Sequence, residues 1–217
     1  MILHNLGTEN SVLNQFITEI RDVNIQNDAM RFRRNIERIG EVLCYELSKT
    51  LLYREKTIQT PLGTKKMMLP ENDLVLCSVL RAGIPLHQGL LNYFDTAENA
   101  FISAYRHHPD NSDDFEVIVK YLASPTLTNK TLILTDPMLA TGKTLENTFN
   151  ALKSHGTPQQ IHIVSVIGSE IGVKYIETHF PENTHLWIAA IDEKLSSKGY
   201  IIPGLGDAGD LSFGAKL

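Results

Sequence analysis

The most pointed chemistry in the chain lies in the stretch Leu132-Ile133-Leu134-Thr135-Asp136-Pro137-Met138-Leu139-Ala140-Thr141-Gly142-Lys143-Thr144. Its apolar start reads as a strand buried on both faces, delivering Asp136 at the carboxyl end. A short loop then leads to a helix whose first turn carries Thr141, Gly142, Lys143 and Thr144. The amides of a helix start and the positive end of its dipole make an anion site, and hydroxyls add further donors. Gly142 lets the backbone approach a phosphate closely. Lys143 either contributes charge or points to solvent. A carboxylate one loop away from a monophosphate cradle is suited to hydrogen-bonding sugar hydroxyls. Two arginines stand at comparable places, Arg81 in Val79-Leu80-Arg81-Ala82-Gly83 and Arg106 in Tyr105-Arg106. Near the end, Gly199-Tyr200-Ile201-Ile202-Pro203-Gly204-Leu205-Gly206-Asp207-Ala208-Gly209-Asp210 crowds glycines, a proline and two aspartates together. That composition predicts a fixed but irregular path, neither helix nor strand, with backbone amides and carbonyls exposed.

Two motif matches fail on inspection. Ala140-Thr141-Gly142-Lys143-Thr144 resembles the end of an ATP-binding P-loop, but the position that requires the first glycine holds Pro137. Gly204-Leu205-Gly206-Asp207-Ala208-Gly209 matches the dinucleotide pattern by letter, yet the chain ends at Leu217, too soon for the helix, second strand and distant acid that give the pattern meaning. His107, His108 and Asp110 suggest metal ligands, but no second cluster completes a site.

The elements that must position these groups follow from periodicity. Asp28 caps a helix running to about Arg54, with Phe32, Ile36, Ile39, Leu43, Leu47 and Leu51 on its apolar face. Arg31, Arg34 and Arg38 share another part of that helix, as a solvated face, a subunit contact or a phosphate-facing patch. Residues 57–69, with Pro61-Leu62-Gly63 between β-prone flanks, predict a hairpin arm. Apolar runs at 74–80, 100–105, 131–135, 161–167 and 186–191 predict buried strands; helical segments are expected at 85–93, at about 141–155 and through about Thr178. The alternation implies an α/β fold with a central, mostly parallel sheet flanked by helices, in one domain spanning 1–217. Ligands in such sheets bind beyond the carboxyl ends of the strands, where the loops above lie. The polar segment from His107 to Asp114 is either a flap over that site or a solvated hairpin tip.

Bulk properties narrow the function classes. A chain of 217 residues with 42% hydrophobic and 21% charged residues buries a core without metals or disulfides. A formal net charge of −5 gives no global attraction to nucleic acid or anionic membrane. Cys44 and Cys77 sit in apolar stretches and read as buried thiols in a reducing compartment. The N-terminal Met1-Ile2-Leu3-His4-Asn5 lacks a signal-peptide pattern, and no apolar run approaches the roughly 20 residues that span a bilayer. A cytoplasmic location is the expectation.

The Asp136-to-Gly142 segment, Asp-Pro-Met-Leu-Ala-Thr-Gly, resembles the phosphoribosyl pyrophosphate (PRPP) motif of type I phosphoribosyltransferases, in the form found in the uracil phosphoribosyltransferase family. Family members usually continue Gly-Ser, where this chain has Lys143-Thr144. The resemblance implies that 137–144 (Pro137, Met138, Leu139, Ala140, Thr141, Gly142, Lys143, Thr144) hold PRPP's 5′-phosphate. Asp136 then holds the ribose hydroxyls, and Arg81 and Arg106 contact the pyrophosphate, an arginine fork suiting a diphosphate. Gly199 to Asp210 is similar to the family's uracil-binding region, within a base-binding hood over 195–217. The resemblance gives Ile201, Gly206, Asp207 and Ala208 to uracil, and Asp207 also to PRPP or its metal. A backbone amide donating to O4 and a carbonyl accepting from N3–H read uracil, and cytosine reverses both polarities.

The implied reaction makes UMP and pyrophosphate from uracil and PRPP, with Arg81, Asp136 and Asp207 as the residues closest to the chemistry. Mg²⁺ is expected to arrive on PRPP, with no dedicated protein metal site. The implied assembly is a homodimer or a multiple of it, with no nucleic-acid or membrane partner. Two other readings stand beside this one: transfer to a different base, and a PRPP- or UMP-sensing regulator without turnover. The C-terminal loop argues against the first. The acidic balance and lack of a basic, aromatic-interleaved stripe argue against the second.

Overall fold

In the computed structural model, residues 1–71, 73–107 and 116–216 are described, with side chains outside 104–119. Strands β4 (Leu74–Leu80), β5 (Glu98–His107), β7 (Thr131–Thr135), β9 (Gln160–Ser169) and β10 (His185–Asp192) pair in parallel in the order β10-β9-β7-β4-β5. A short β1 (Ile2–Asn5) adds in parallel beside β10, and β6 (Glu116–Ala123) closes the other edge antiparallel to β5. The expectation of a mostly parallel sheet flanked by helices is met.

Each central strand is apolar on both sides, and successive residues feed different cores. Leu74, Leu76, Ile133, Val164, Val166, Trp187 and Ala189 meet one set of helices: α1 (Leu13–Arg21), α2 (Ala29–Ser48) and α3 (Gly83–Leu91). Val75, Cys77, Val79, Leu132, Leu134, Ile161, Ile163, Leu186 and Ile188 meet the opposite set, α4 (Lys143–Leu152) and α5 (Glu170–His179). This is the period-two geometry of a strand covered on both faces. It explains why the runs read as mostly apolar segments, with only a few polar residues such as Ser78, His162 and Ser165 inside them.

Helix α2 begins where the sequence predicts, the Asp28 side chain accepting from the Arg31 amide at 3.0 Å. It stops at Ser48, earlier than Arg54, because the next turn tightens: Lys49, Thr50 and Leu51 donate to carbonyls three residues back. That turn still buries Leu51 before the chain turns into β2 (Tyr53–Thr60). β2 and β3 (Gly63–Pro70) form a two-stranded antiparallel ribbon, exposed along nearly its whole length. The arginine trio resolves into contacts within the chain: Arg31 with Glu19, Arg34 with Glu37, and Arg38 with Asn35 and the Phe16 ring. The polar segment after His107 lies outside the described residues, His108 and Asp110 included.

The expectation of an irregular path through 199–210 is corrected. Ile201–Ile202 form β12, antiparallel to β11 (Lys194–Leu195), and Ala208–Phe213 form helix α6. Asp207 is its N-cap, accepting from the Asp210 amide at 2.9 Å, and Gly214 ends it at φ 86°. Glycine frequency hid an ordinary capping pattern, Asp-Ala-Gly-Asp followed by Gly.

Candidate active site

The carboxyl ends of β4, β7 and β5 lie side by side and carry Arg81, Asp136 and Arg106. Arg106 is placed by its backbone near the end of β5. Asp136 follows β7 directly and is buried, its Oδ1 accepting from the Met138 amide at 3.2 Å. Its backbone is pinned as well: its amide donates to Val164 O at 3.2 Å and Ser165 Oγ donates to its carbonyl at 2.7 Å. Met138–Leu139 form a short strand, β8, against β9, which fixes the loop's course toward α4.

Gly142 is the N-cap of α4 and adopts a left-handed conformation, φ 81° and ψ −19°. The first helical bond runs from the Glu146 amide to Gly142 O at 3.1 Å, so the first-turn amides point out of the helix end toward the loop. Thr141 and Thr144 are half-buried there and Lys143 is exposed. An anion at this end would meet amides, two hydroxyls and the helix dipole.

Arg81, which follows the Leu80–Arg81 cis peptide, is exposed and bridges to the C-terminal segment. Its Nη2 lies 3.4 Å from Asp210 Oδ1 and donates to Gly214 O at 2.9 Å. Lys216 Nζ lies 3.3 Å from Asp207 Oδ2 and 3.8 Å from Asp210 Oδ1. Two cations and two carboxylates therefore meet at the mouth. Burial alone would raise the Asp207 carboxyl, but the Asp210 amide and the Lys216 ammonium hold it below its ordinary value. A Cβ placed on Gly209 would stand 3.8 Å from the Ala82 Cβ, so the first turn of α6 lies over the loop after β4.

The structure thus brings Arg81, Asp207 and Ala208 into one neighbourhood, with Asp136 and the Thr141–Thr144 turn at the ends of adjoining elements. Ile201 and Ala208 are buried and Gly206 is exposed. Asp207 also caps α6, a structural duty that the sequence reading did not include.

Residues without a local signature hold this frame. Arg21 makes a two-pronged pair with Asp192 at 2.7 and 2.9 Å and donates to Gly204 O at 3.0 Å. Asp192 Oδ2 also accepts from the Gly204 amide at 3.0 Å. Gln26 donates to Leu205 O at 3.3 Å and Arg33 to Ser212 O at 2.6 Å. The hood is therefore anchored to α1, α2 and the end of β10. No sequence signal marks these contacts of Arg21, Gln26 and Arg33, since their partners lie more than 170 positions away.

A model of the family described as uracil phosphoribosyltransferase matches residues 7–215. The chain belongs to the uracil phosphoribosyltransferase family. A member named for that activity from Porphyromonas gingivalis is 52% identical over 216 residues, covering 100% of this chain and 99% of its own. Another from Thermococcus gammatolerans is 37% identical, covering 94% of this chain and 89% of its own. Among solved structures, the AQ2163 protein from Aquifex aeolicus superposes with a TM-score of 0.88 at 30% identity, covering 100% of both chains. The family match spans the β4 loop, the Asp136–Thr144 segment and the C-terminal hood together.

Among the described residues no group of three or more His, Cys, Asp or Glu is placed to hold a metal ion, and no helix is long and apolar enough to cross a membrane.

Proposed function

We propose that this chain joins uracil to PRPP, giving UMP and pyrophosphate, at the carboxyl edge of β4, β7 and β5. The observation that carries the reading is the family match over residues 7–215, which takes in the Gly142 helix start, Asp136 and nearly all of the C-terminal segment. In the reaction uracil N1 forms a bond to C1′ as the bond from C1′ to pyrophosphate oxygen breaks. The leaving group takes the electron pair and N1 loses its proton. The enzyme's task is positioning and stabilisation of charge.

The Thr141–Thr144 turn binds the 5′-phosphate, with Pro137 to Ala140 shaping the approach. Asp136 accepts from the ribose hydroxyls. Arg81 and Arg106 face the pyrophosphate; Arg81 exchanges its Asp210 and Gly214 contacts for it. Mg²⁺ enters as part of the PRPP substrate, and the Asp207 and Asp210 carboxylates at the mouth are hard oxygen donors of the type that cation prefers. The backbone of Ile201, Gly206, Asp207 and Ala208 reads the base, rejecting cytosine by mismatched buried hydrogen bonds, on the order of 10⁴-fold. We further propose a cytoplasmic homodimer or multiple of it. The exposed Ile58, Leu62, Met67 and Met68 of the β2–β3 ribbon supply apolar surface for the contact.

The test is conversion of labelled uracil with PRPP and Mg²⁺, beside cytosine, hypoxanthine and a mixture lacking PRPP. UMP formed from uracil alone supports the reading. PRPP binding without product from any base refutes it.

A further inference from the structure

Helix α5 presents a column of residues three apart, starting from its cap, to the loop between β7 and α4. Ser169 Oγ donates to Ala140 O at 2.6 Å and accepts from the Gly172 amide at 2.9 Å. A Cβ on Gly172 would stand 2.5 Å from Ala140 O and 2.7 Å from Leu139 O, so helix and loop backbones touch directly. Tyr175 completes the column. Its ring lies against Gly142, where a Cβ would meet Tyr175 Cδ1 at 2.7 Å and Tyr175 Cβ at 3.1 Å. Its hydroxyl donates to Glu146 Oε2 at 2.6 Å. The ring is also stacked on His179 with centroids 3.8 Å apart and planes 10° from parallel. It has little freedom to turn.

Glu146 supplies the electrostatic reason for such a restraint. It is the acid in the first turn of α4. A carboxylate there favours the helix by itself, but it competes with an anionic ligand for the same dipole end. We propose that Tyr175 is a positioning residue for phosphate binding. Its ring backs the Gly142 turn, and its hydroxyl holds the Glu146 carboxylate against α5, away from the anion site at the helix start. The inference rests on the reading that the Thr141–Thr144 turn takes the 5′-phosphate. A tyrosine hydroxyl keeps its proton near neutral pH in any case, and the bond to Glu146, then burial, pushes that of Tyr175 further up, to about 12.

The deciding variants are Tyr175→Phe, which keeps the ring and removes the hydroxyl, and Tyr175→Phe with Glu146→Gln, which also removes the charge. KM for PRPP and KM for uracil are measured with kcat, the PRPP dissociation constant by calorimetry, and the thermal midpoint on the same samples. Tyr175→Phe is expected to raise both PRPP constants about three- to tenfold, the worth of one hydrogen bond, with kcat and KM for uracil within about twofold. The double variant is expected to bring the PRPP constants back to within about twofold of the parent. Thr141→Ala serves as the control for the phosphate turn. If Thr141→Ala weakens PRPP binding and Tyr175→Phe does not, the clamp is refuted while the phosphate turn stands. If neither variant changes PRPP binding, the phosphate-turn reading falls and takes the clamp with it. A rise in Tyr175→Phe that Glu146→Gln leaves in place also overturns the proposal, because the carboxylate is then not what the hydroxyl restrains.

Discussion

Replacing Asp192 by Ala removes a group that, with Arg21, ties α1, the end of β10 and the hood together. The carboxylate makes two short bonds to Arg21, at 2.7 and 2.9 Å, and accepts from the Gly204 amide at 3.0 Å. The side chains are 21% and 10% exposed, so the pair is neither a free surface ion pair nor fully desolvated. Arg21 retains Gly204 O and some water after the change. The cost therefore falls below the roughly 3–5 kcal/mol of breaking a buried pair and above the roughly 0–1 kcal/mol of a surface one, at about 2–3 kcal/mol. For a chain of this size each kcal/mol is worth about 2–4 °C, so the thermal midpoint should drop by roughly 4–12 °C. Because Gly204 sits within the hood, KM for uracil should rise more than KM for PRPP. The assay is a thermal scan with steady-state kinetics on Asp192→Ala, Arg21→Ala and the double variant. The double variant should cost at least about 1 kcal/mol less than the sum of the singles, as expected for groups in contact. A midpoint within about a degree of the parent, or strictly additive losses, would refute the reasoning.

Other outcomes follow from the same contacts. His4, His162 and His185 form a cluster in which His4 Nε2 and His185 Nδ1 lie 3.0 Å apart and His162 accepts from Trp187 Nε1. Burial, then the charges of His185 and His4, pushes His162 down to about 3, and His4 and His185 are lowered too. The unfolded chain then binds more protons than the folded one below about pH 6.5, so stability falls as pH drops from there toward 3. Between pH 7 and 5 the His162 share is about 2 kcal/mol, and in His162→Gln the slope of thermal midpoint against pH should flatten; an unchanged slope contradicts the assignment. Burial raises the Cys44 and Cys77 thiols to about 12, so a thiol reagent should label neither in the folded protein and both after denaturation. Rapid labelling of the native chain would show either thiol to be accessible. Gly142→Ala should cost about 2–5 kcal/mol, from a left-handed backbone and a methyl group forced onto the Tyr175 ring. Adding Tyr175→Ala should relieve the ring's part of the steric share in a thermal scan, and no relief would contradict that contact. Light scattering should give twice the chain mass or a multiple of it, and a monomer would remove the proposed assembly.

The strands and the helix start at Gly142 were legible because each is set by local physics. A strand covered on both faces reads as a mostly apolar run, as in Leu74 to Val79 with Ser78 its one polar residue, and the helix start at Gly142 is marked by the glycine itself with Thr141 and Thr144 on either side. Helix α6 was hidden because its glycines argued louder than its cap, although Asp207 followed by Asp210 is a readable start. β1 was missed because four residues at the chain start acquire meaning only beside β10. Arg21 with Asp192, and Tyr175 with Gly142, could not be paired from sequence at all. Each contact is made by two elements brought together by the sheet, with no spacing rule connecting them.

The most direct test of the site is a crystal structure of the protein with UMP bound. The account predicts the phosphate at the amides and hydroxyls of Thr141 to Thr144, the ribose hydroxyls on Asp136, and the pyrimidine edge on the backbone between Ile201 and Ala208. A phosphate bound elsewhere, or a base out of hydrogen-bonding reach of that backbone, would contradict it.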